Sequence, residues 1–502
     1  MVRVRWVVLV LVAVLLAFTT AGCARKQAGT AIPEATAERN AGGAGTADAP
    51  AAAGAAGIPD VGSVAEPTPP PQIYVVQAGD TLYAIARRFG LEAEALVEAN
   101  RLTDPNTLQV GQQLQIPSTQ LDTGPSIRLV PNSEFVNSPA YVDFDVSTFS
   151  AQQGGYLAAY QENVGGQVLS GPEIVERVVH HYSIGPRLLL AVLEMKSGWL
   201  TNPNPTENAL NYPMGYTGGG WDSLHYQLAW AADKLNQGYY DWRGRGMPIK
   251  TWGDGTATLY APTLNAATAG LQYFFALDGS KSQWEAWVGD GPESFIATYR
   301  RLFGDPAQYA IESLIPANLP DPSLVLPWSR GEMWYYTGGP HGGWNDGSAW
   351  AAIDVVPDEG YLGCQQAVSW ATAAAPGLVI YSQDGEVMID LDGDGHEETG
   401  WVLFHLHVAS QGRVPVGTHV NQGDYIGHPS CEGGYSEATH LHFARKYNGE
   451  WIAADGPLPL ILSGWRFYSA GAPYDGTASR DGQERTACEC AEATVNGLLA
   501  DR

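Results

Sequence analysis

A histidine-rich stretch between residues 341 and 442 constrains the fold of this chain more than any other feature. It holds most of the 11 histidines, and four of them form two H-x-H pairs, His405/His407 and His440/His442. Because alternate residues of a β-strand point to the same face, each pair is predicted to present two imidazoles to one side of a sheet. Two such strands, together with His341 and one aspartate, would provide the nitrogen and oxygen ligands that zinc prefers at catalytic sites.

This stretch resembles the LytM/lysostaphin-type zinc endopeptidases of bacterial cell walls, over about residues 328–470. The matching motifs are His341, Asp354, His407, the closing strand around His440–Phe443, and the glycine turns at Gly417–Val420 and Gly423–Gly427. By this resemblance, one zinc ion is held by His341, Asp354 and His442. The resemblance also implies that His407 and His440 form the catalytic pair, since His407 keeps the family's spacing to the following turn and His405 does not.

Two aspartates compete for the metal. The family usually places its aspartate close to the first histidine, and this spacing favours Asp346 over Asp354. Asp346, however, lies in a glycine-rich segment, which is a poor platform for a ligand that must be held accurately. Asp354 lies in the apolar run AWAAIDVVP, which predicts a buried strand. A lone buried carboxylate would cost several kcal/mol unless paired or coordinated. We therefore predict Asp354 as the ligand and residues 342–349 as an insertion.

The N-terminal segment is predicted to direct export. Residues 1–23 have two arginines, an apolar run and small residues before Cys23, as in a secretory signal. Ala21-Gly22-Cys23 resembles a lipobox, which would make Cys23 the lipidated N-terminus of a membrane-anchored lipoprotein. The alternative is ordinary cleavage near Ala21 and a soluble secreted protein. Residues 24–72, rich in Ala, Gly and Pro, are predicted to be a disordered tether.

The charge balance excludes one class of partner. The formal net charge is -26, whereas nucleic-acid binding requires basic patches. We therefore expect no nucleic-acid partner, and membrane contact only through a lipid anchor.

Residues 73–117 are predicted to form a small β-α-α-β unit with GDTL at the first turn. This pattern resembles a LysM domain, a module that binds N-acetylglucosamine-containing glycans. By the resemblance, Gly79, Asp80, Thr81 and Asn100 lie near the glycan groove. Asp80 or Thr81 would also cap the first helix.

The middle of the chain reads as a linker at 118–150 followed by a mostly helical domain at 151–316. The run Leu188–Leu193 is apolar on all sides, which predicts a buried helix. Glu194 follows it, and the segment resembles the lysozyme-like fold of lytic transglycosylases, in which such a glutamate is catalytic. The departures are Met195 after the glutamate and the absence of a clear glycine-isoleucine-glutamine motif. The alternative is a structural Glu194 paired with Arg187 or Lys196.

The remaining features are a linker at 317–327, a tail at 471–502, the cysteines and an acidic turn. Cys364 and Cys431 are predicted to form a disulfide, as is usual in an exported protein, and the Cys488/Cys490 pair is left open. The alternating Asp390, Asp392 and Asp394 match the first half of a calcium loop, but Trp401 stands where a glutamate is expected. A partial Ca²⁺ site and a tight acidic turn remain equal alternatives.

The sequence therefore predicts a multidomain protein with a small LysM domain, a mostly α lysozyme-like domain and an all-β antiparallel metallopeptidase domain. The expected function is an extracytoplasmic zinc endopeptidase that cuts peptidoglycan stem or cross-bridge peptides. The alternative is a non-enzymatic lipoprotein of LysM/LytM type that binds the wall and activates other hydrolases. The discriminating feature is the ligand set, because such regulators have lost the metal ligands.

Overall fold

The computed structural model describes residues 72–501, apart from residues 78, 105–107, 118–122, 245, 248, 254–256, 312 and 360–362. The predicted export signal, Cys23 and almost all of the tether lie outside the described residues. The described part consists of a small N-terminal domain, a helical domain and a β domain.

The N-terminal domain has the predicted β-α-α-β order. Its two strands pair antiparallel, and its core contains Leu82, Ile85, Leu96 and Leu114. Thr81 begins the first helix by accepting the backbone N–H of Ala84. The elements are β1 (Gln72–Val75), α1 (Leu82–Arg88), α2 (Ala93–Asn100) and β2 (Gln113–Ile116).

The helical domain is built around α6, which is buried along almost its whole length and ends at Gly198, whose φ is 70°. Among the described helices, none combines the length and the apolar character needed to cross a membrane. The elements are α3 (Asn132–Phe135), α4 (Val146–Gln153), β3 (Gln161–Val164), β4 (Gln167–Ser170), α5 (Gly171–Tyr182), α6 (Pro186–Ser197), α7 (Glu207–Asn211), α8 (Leu224–Gly244), β5 (Ile249–Thr251), β6 (Ala257–Leu259), α9 (Ala266–Ala276), α10 (Lys281–Val288) and α11 (Phe295–Phe303), with 3₁₀ turns at Pro139–Tyr141, Tyr156–Ala159 and Pro306–Tyr309.

Much of the segment that the sequence suggested as a linker, residues 118–150, belongs to this domain. Leu129, Phe135 and Tyr141 are buried in its core. The segment lacked a clear periodicity because its helices are only one or two turns long, too short for a 3.6-residue repeat to show.

A buried ion pair ties this segment to α6. Arg187 donates from Nη2 to Glu134 Oε1 at 2.6 Å and from Nε to Oε2 at 3.0 Å, and the hydroxyls of Tyr141 and Tyr299 also donate to the Glu134 carboxylate. Removing one partner of such a pair leaves an uncompensated buried charge, which costs about 3–5 kcal/mol.

We expect Arg187→Met to lower the free energy of unfolding of the helical domain by about that amount, measured by urea denaturation. Lys196→Met is the matched control, because its partner Asp278 is half exposed and surface pairs contribute about 1 kcal/mol or less. Equal losses of unfolding free energy in the two variants would contradict the view that the buried Arg187–Glu134 pair stabilises the domain more than the exposed pair does.

The β domain is organised by a nine-stranded antiparallel sheet. Its strands run in the order β13-β10-β11-β12-β15-β8-β7-β21, and β16 pairs with β15. The elements are β7 (Met333–His341), β8 (Ala352–Pro357), β9 (Ala371–Thr372), β10 (Gly377–Gln383), β11 (Glu386–Asp390), β12 (Trp401–Leu406), β13 (His419–Val420), β14 (Tyr425–Gly427), β15 (Leu441–Tyr447), β16 (Glu450–Trp451), β17 (Ile461–Leu462), β18 (Trp465–Ser469), β19 (Gly476–Arg480), β20 (Gln483–Thr486) and β21 (Gly497–Leu499).

The two faces of this sheet belong to different cores. Leu403, Phe443 and their neighbours pack on the side of β18 and β19. The residues next to these along the strands point to the other face and join the core of the helical domain; they are Val402, Phe404 and Ala444. Because side chains alternate along a strand, Asp354 and His442 lie on the face against which the helical domain packs.

The sequence suggested that residues 471–502 form a tail, but those that the structure describes belong to the folded β domain. β21 pairs with β7, placing Leu498 opposite Trp334, and Leu498 is fully buried. β19 and β20 extend a second antiparallel sheet. All three strands are short, so their own pattern is weak. Pairing of β21 with β7 and of β19 with β18 makes them part of the fold.

Candidate metal centre

Three neighbouring strands hold the predicted metal ligands. His442 on β15 lies opposite Asp354 on β8, and His341 ends β7. The ladder between β7 and β8 is irregular on both sides of Gly338, and such irregularities re-aim side chains. A Cβ at Gly338 would lie 2.7 Å from Asp354 Oδ2, so only glycine leaves room for the carboxylate there.

The ligand atoms converge on one point. His341 Nε2 lies 3.0 Å from His442 Nδ1, and Asp354 Oδ1 lies 3.4 Å and 3.2 Å from these two nitrogens. Ligands held at about 2.0–2.1 Å around a tetrahedral zinc are separated by roughly 3.4 Å. The three atoms therefore fit the three protein positions of a catalytic zinc site.

Backbone carbonyls fix the tautomers of both histidine ligands. His341 Nδ1 lies 2.8 Å from the Gly339 carbonyl, and His442 Nε2 lies 3.0 Å from the Gly343 carbonyl. Since a carbonyl only accepts, each of these nitrogens carries the proton. The opposite nitrogens, His341 Nε2 and His442 Nδ1, therefore carry the lone pairs. They point to the space that they share with Asp354 Oδ1, as the lone pairs of metal-ligating histidines point to a metal.

The electrostatics of the centre suit a cation. Burial acts to raise the pKa of Asp354, but the surrounding histidines, His341 first and then His440, hold that pKa well below its usual range. Burial lowers the pKa of His442. An ionised carboxylate at Asp354 and a neutral imidazole at His442 are the protonation states that a metal requires of these two ligands.

His407 and His440 lie next to this centre, and their ring centroids are 4.3 Å apart. His407 Nδ1 donates to the Glu432 carbonyl at 3.0 Å, and His440 Nδ1 to the Ala438 carbonyl at 2.8 Å. Both Nε2 atoms are thus left as proton acceptors, and that of His440 lies 3.7 Å from Asp354 Oδ1. Burial, followed by the charges of His440 and His442, holds the pKa of His407 well below its usual range.

The prediction that His405 and His407 share a face is wrong. β12 ends at Leu406, and His407 has a φ of 66°, which turns its side chain out of the strand alternation. His405 stays in the strand, packs on Phe443 and donates to the Val387 carbonyl on the opposite side of the sheet. Only His407 reaches the centre.

The insertion between His341 and Asp354 is anchored, although its glycines suggested a flexible loop. Gly347 N donates to Asp233 on α8 at 2.9 Å, and the Trp344 ring stacks on His181 of α5. Asp346 is exposed at its tip and forms no part of the cluster of His341, Asp354 and His442.

Two contributors to the centre were missed from the sequence. The Tyr474 ring stacks on His341 with centroids 4.1 Å apart, and it comes from the segment taken as a tail. The Gly343 carbonyl orients His442 from within the insertion. A carbonyl leaves no trace in a sequence motif, and the remote tyrosine offered no local signal.

Three of the predicted glycan-binding residues, Gly79, Asp80 and Thr81, lie at the junction of the three domains, whereas Asn100 makes its hydrogen bonds within the N-terminal domain. The Thr81 hydroxyl donates to the Gly244 carbonyl at the end of α8 at 2.6 Å, and Asp80 accepts from Tyr74 and pairs with Arg88. Asn100 bonds the backbone of Gln115. A cavity of about 610 Å³ opens beside this loop, lined among others by Gly79, Asp80, Thr81, Trp350 and Tyr468.

Glu194 is buried and its carboxylate is fully engaged. It accepts from the backbone N–H of Leu200 and of Thr201 and from the Thr201 hydroxyl. Its cationic partner is Arg301 at 3.1 Å, whereas Arg187 pairs with Glu134 and Lys196 with Asp278. These contacts give Glu194 a structural role, and its catalytic role stays a prediction.

The acidic turn is held together by its own backbone. Asp390 accepts from the N–H groups of Asp392 and Gly395, and Asp392 accepts from that of Asp394. Ca²⁺ binding by Asp390, Asp392 and Asp394 stays a prediction. Disulfides join Cys364 to Cys431, as the sequence predicted, and Cys488 to Cys490.

The chain has an N-terminal LysM domain, and its similarity to protease LasA and to a beta-lytic metalloendopeptidase shows a metalloendopeptidase. The LysM domain family matches residues 74–117, and the family of the LasA N-terminal domain matches residues 128–318. The helical region, for which the sequence suggested a lysozyme-like fold, is thus similar to the N-terminal domain of LasA.

The chain is similar to protease LasA and to beta-lytic metalloendopeptidases. It is 29% identical to protease LasA of Pseudomonas aeruginosa over 307 residues, which is 57% of this chain and 68% of that protein. It is 26% identical to the beta-lytic metalloendopeptidase of Lysobacter enzymogenes over 162 residues, which is 32% of this chain and 88% of the relative. The solved M23 metalloprotease pseudoalterin, from the deep sea, is 24% identical with a TM-score of 0.27, and the match covers 33% of this chain and 95% of that one.

Proposed function

We propose that this protein is a zinc-dependent endopeptidase that cleaves the peptides of peptidoglycan, with its LysM domain bound to the glycan. The observation that carries the proposal is the convergence of His341 Nε2, Asp354 Oδ1 and His442 Nδ1 within 3.0–3.4 Å of one another. A zinc ion there would polarise the scissile carbonyl and lower the pKa of a water molecule to about 7.

The chain's own residues would handle the proton. The Nδ1 atoms of His407 and His440 are occupied by backbone carbonyls. His440 Nε2 lies 3.7 Å from Asp354 Oδ1, and the His407 ring lies beside that of His440. One of these two histidines can take the proton of the attacking water, and the other can donate a hydrogen bond to the developing oxyanion. His440 is the more accessible of the two, with 18% of its side chain exposed.

The LysM loop supports wall targeting. Thr81 and its neighbours border the 610 Å³ cavity together with Trp350 and Tyr468 of the peptidase domain, and aromatic faces of this kind stack on sugars. We infer that a glycan bound by the LysM loop lies near the peptidase domain. An enzyme with a LysM domain and similarity to protease LasA would act in the cell envelope or after secretion.

We expect a chelator to abolish the release of peptide fragments from purified peptidoglycan and zinc to restore it. Mass spectrometry of the fragments is the measurement: new amino termini show an endopeptidase, and anhydromuramyl ends would show that the helical domain cleaves glycan. Digestion that is unaffected by the chelator would contradict zinc dependence. A chain that binds the wall without digesting it would favour the regulator instead.

A further inference from the structure

A second histidine–carboxylate cluster lies where the helical domain meets the peptidase domain. His180 and His181 form part of the last turn of α5, and both contact Glu386 at the start of β11. Their Nε2 atoms each lie 3.0 Å from a different oxygen of that carboxylate. One ligand atom from each of the three side chains lies within 4.8 Å of the other two.

The contact of His181 does not have the geometry of a hydrogen bond. Oε1 of Glu386 is buried and has no hydrogen-bond partner, although His181 Nε2 is 3.0 Å away. Leaving a buried carboxylate oxygen unsatisfied costs about 1–3 kcal/mol or more. Close approach without an aligned N–H is also found between His341 and Asp354 in the catalytic centre, where both atoms face a common point.

The opposite nitrogen of His180 is held as in a metal site. His180 Nδ1 lies 3.2 Å from Glu397 Oε1, and Lys446 Nζ lies 3.6 Å from the same carboxylate. A carboxylate that accepts Nδ1–H orients an imidazole so that the Nε2 lone pair faces a metal. The Tyr381 ring packs against His180 and the Trp344 ring against His181, which limits the access of water.

A network of ion pairs explains only part of this cluster. Both ring nitrogens of His180 lie close to a carboxylate, Nε2 to Glu386 at 3.0 Å and Nδ1 to Glu397 at 3.1 Å, so an imidazolium could pair with both. That pairing accounts for Oε2 of Glu386, whereas the buried Oε1 has only the 3.0 Å approach of His181 Nε2 and no aligned hydrogen bond. A cation bound by both imidazoles and the carboxylate accounts for all three side chains.

We propose that His180, His181 and Glu386 bind a second zinc ion, which joins the helical domain to the peptidase domain. Two imidazoles and one carboxylate are a donor set that suits zinc. The site is separate from the catalytic centre: Val387 pairs with His405 and Leu406 with His442, which puts Glu386 two strands away from His442. Because the ligands come from two domains, the ion would favour the docked arrangement over separated domains.

The test is to count zinc in the purified full chain by elemental mass spectrometry after dialysis against metal-free buffer. We expect two zinc ions in the parent chain, one in Glu386→Gln, one in His442→Ala and none in the double variant. His181→Gln is a second variant of the same site and should also retain one. His419→Ala is the matched control, because His419 is exposed and should leave two.

The outcomes separate this inference from the proposed function. A parent chain with a single zinc ion that His442→Ala removes would overturn the second site and leave the catalytic one. A single ion that Glu386→Gln removes and His442→Ala retains would instead overturn the catalytic assignment. Thermal melting of each variant shows that it is folded. Two ions retained by both Glu386→Gln and His181→Gln would also contradict the proposal.

Discussion

Asp354→Ala is expected to lose the catalytic metal and the peptidase activity together. The carboxylate supplies the only oxygen among the three converging ligand atoms, and its Oδ1 lies within 3.4 Å of both ligand nitrogens. Loss of an outer-shell partner alone typically costs 10–100-fold in affinity or activity, so we expect more than about 100-fold from the loss of a ligand. Zinc bound at this site and peptide release from peptidoglycan are the two measurements.

The matched control is Asp346→Ala, which changes the other candidate aspartate, in the insertion at residues 342–349. Asp346 is exposed, so its variant should keep both the metal and the activity. Asp354→Asn keeps the volume of the side chain and separates the loss of charge from the loss of packing. An Asp354→Ala protein that still binds the catalytic zinc stoichiometrically would refute the assignment.

His407→Ala is expected to lower kcat by about 10²–10⁴-fold, the usual contribution of a general acid or base, while the metal stays bound. The reason is geometric: the His407 ring lies beside His440, 6.4 Å from the His442 ring between centroids, and His407 is not one of the three residues whose ligand atoms converge. Turnover and zinc content, measured on the same preparation, distinguish this role from that of a ligand.

His405→Ala is the comparison within the same H-x-H pair. His405 is fully buried on the other face, and burial lowers its pKa to about 4, so that it is a neutral core side chain. Its truncation should lower the unfolding midpoint by opening a cavity and leave kcat nearly unchanged. If His405→Ala lost turnover and His407→Ala did not, the assignment of the pair would be reversed.

The helical domain bears on the function through its position. It packs on the sheet face that carries Asp354 and His442, and α8 holds the insertion whose Gly343 carbonyl orients His442. The geometry of the catalytic centre therefore depends on contacts between two domains. A substitution at Asp233 would loosen the insertion and thereby change the orientation of His442.

Local sequence patterns determined the parts of this protein that depend on neighbours along the chain. The alternation of side chains along a strand put His440 and His442 near one aspartate. The apolar surroundings of Asp354 predicted the buried strand on which it lies opposite His442. The apolar run of α6, its end at Gly198 and the β-α-α-β order of the LysM domain followed from helical spacing and turn residues in the same way.

Tertiary structure decided what depends on contacts between distant segments. The alternation failed at His407, because the strand ends at Leu406 and a positive φ redirects the next side chain. The residues after 471 became strands because β21 finds β7 as its partner, and His180, His181 and Glu386 met because two domains dock. Strand alternation and helix periodicity are properties of a local backbone, whereas pairing and docking are set by the free energy of burying surfaces that lie far apart in sequence.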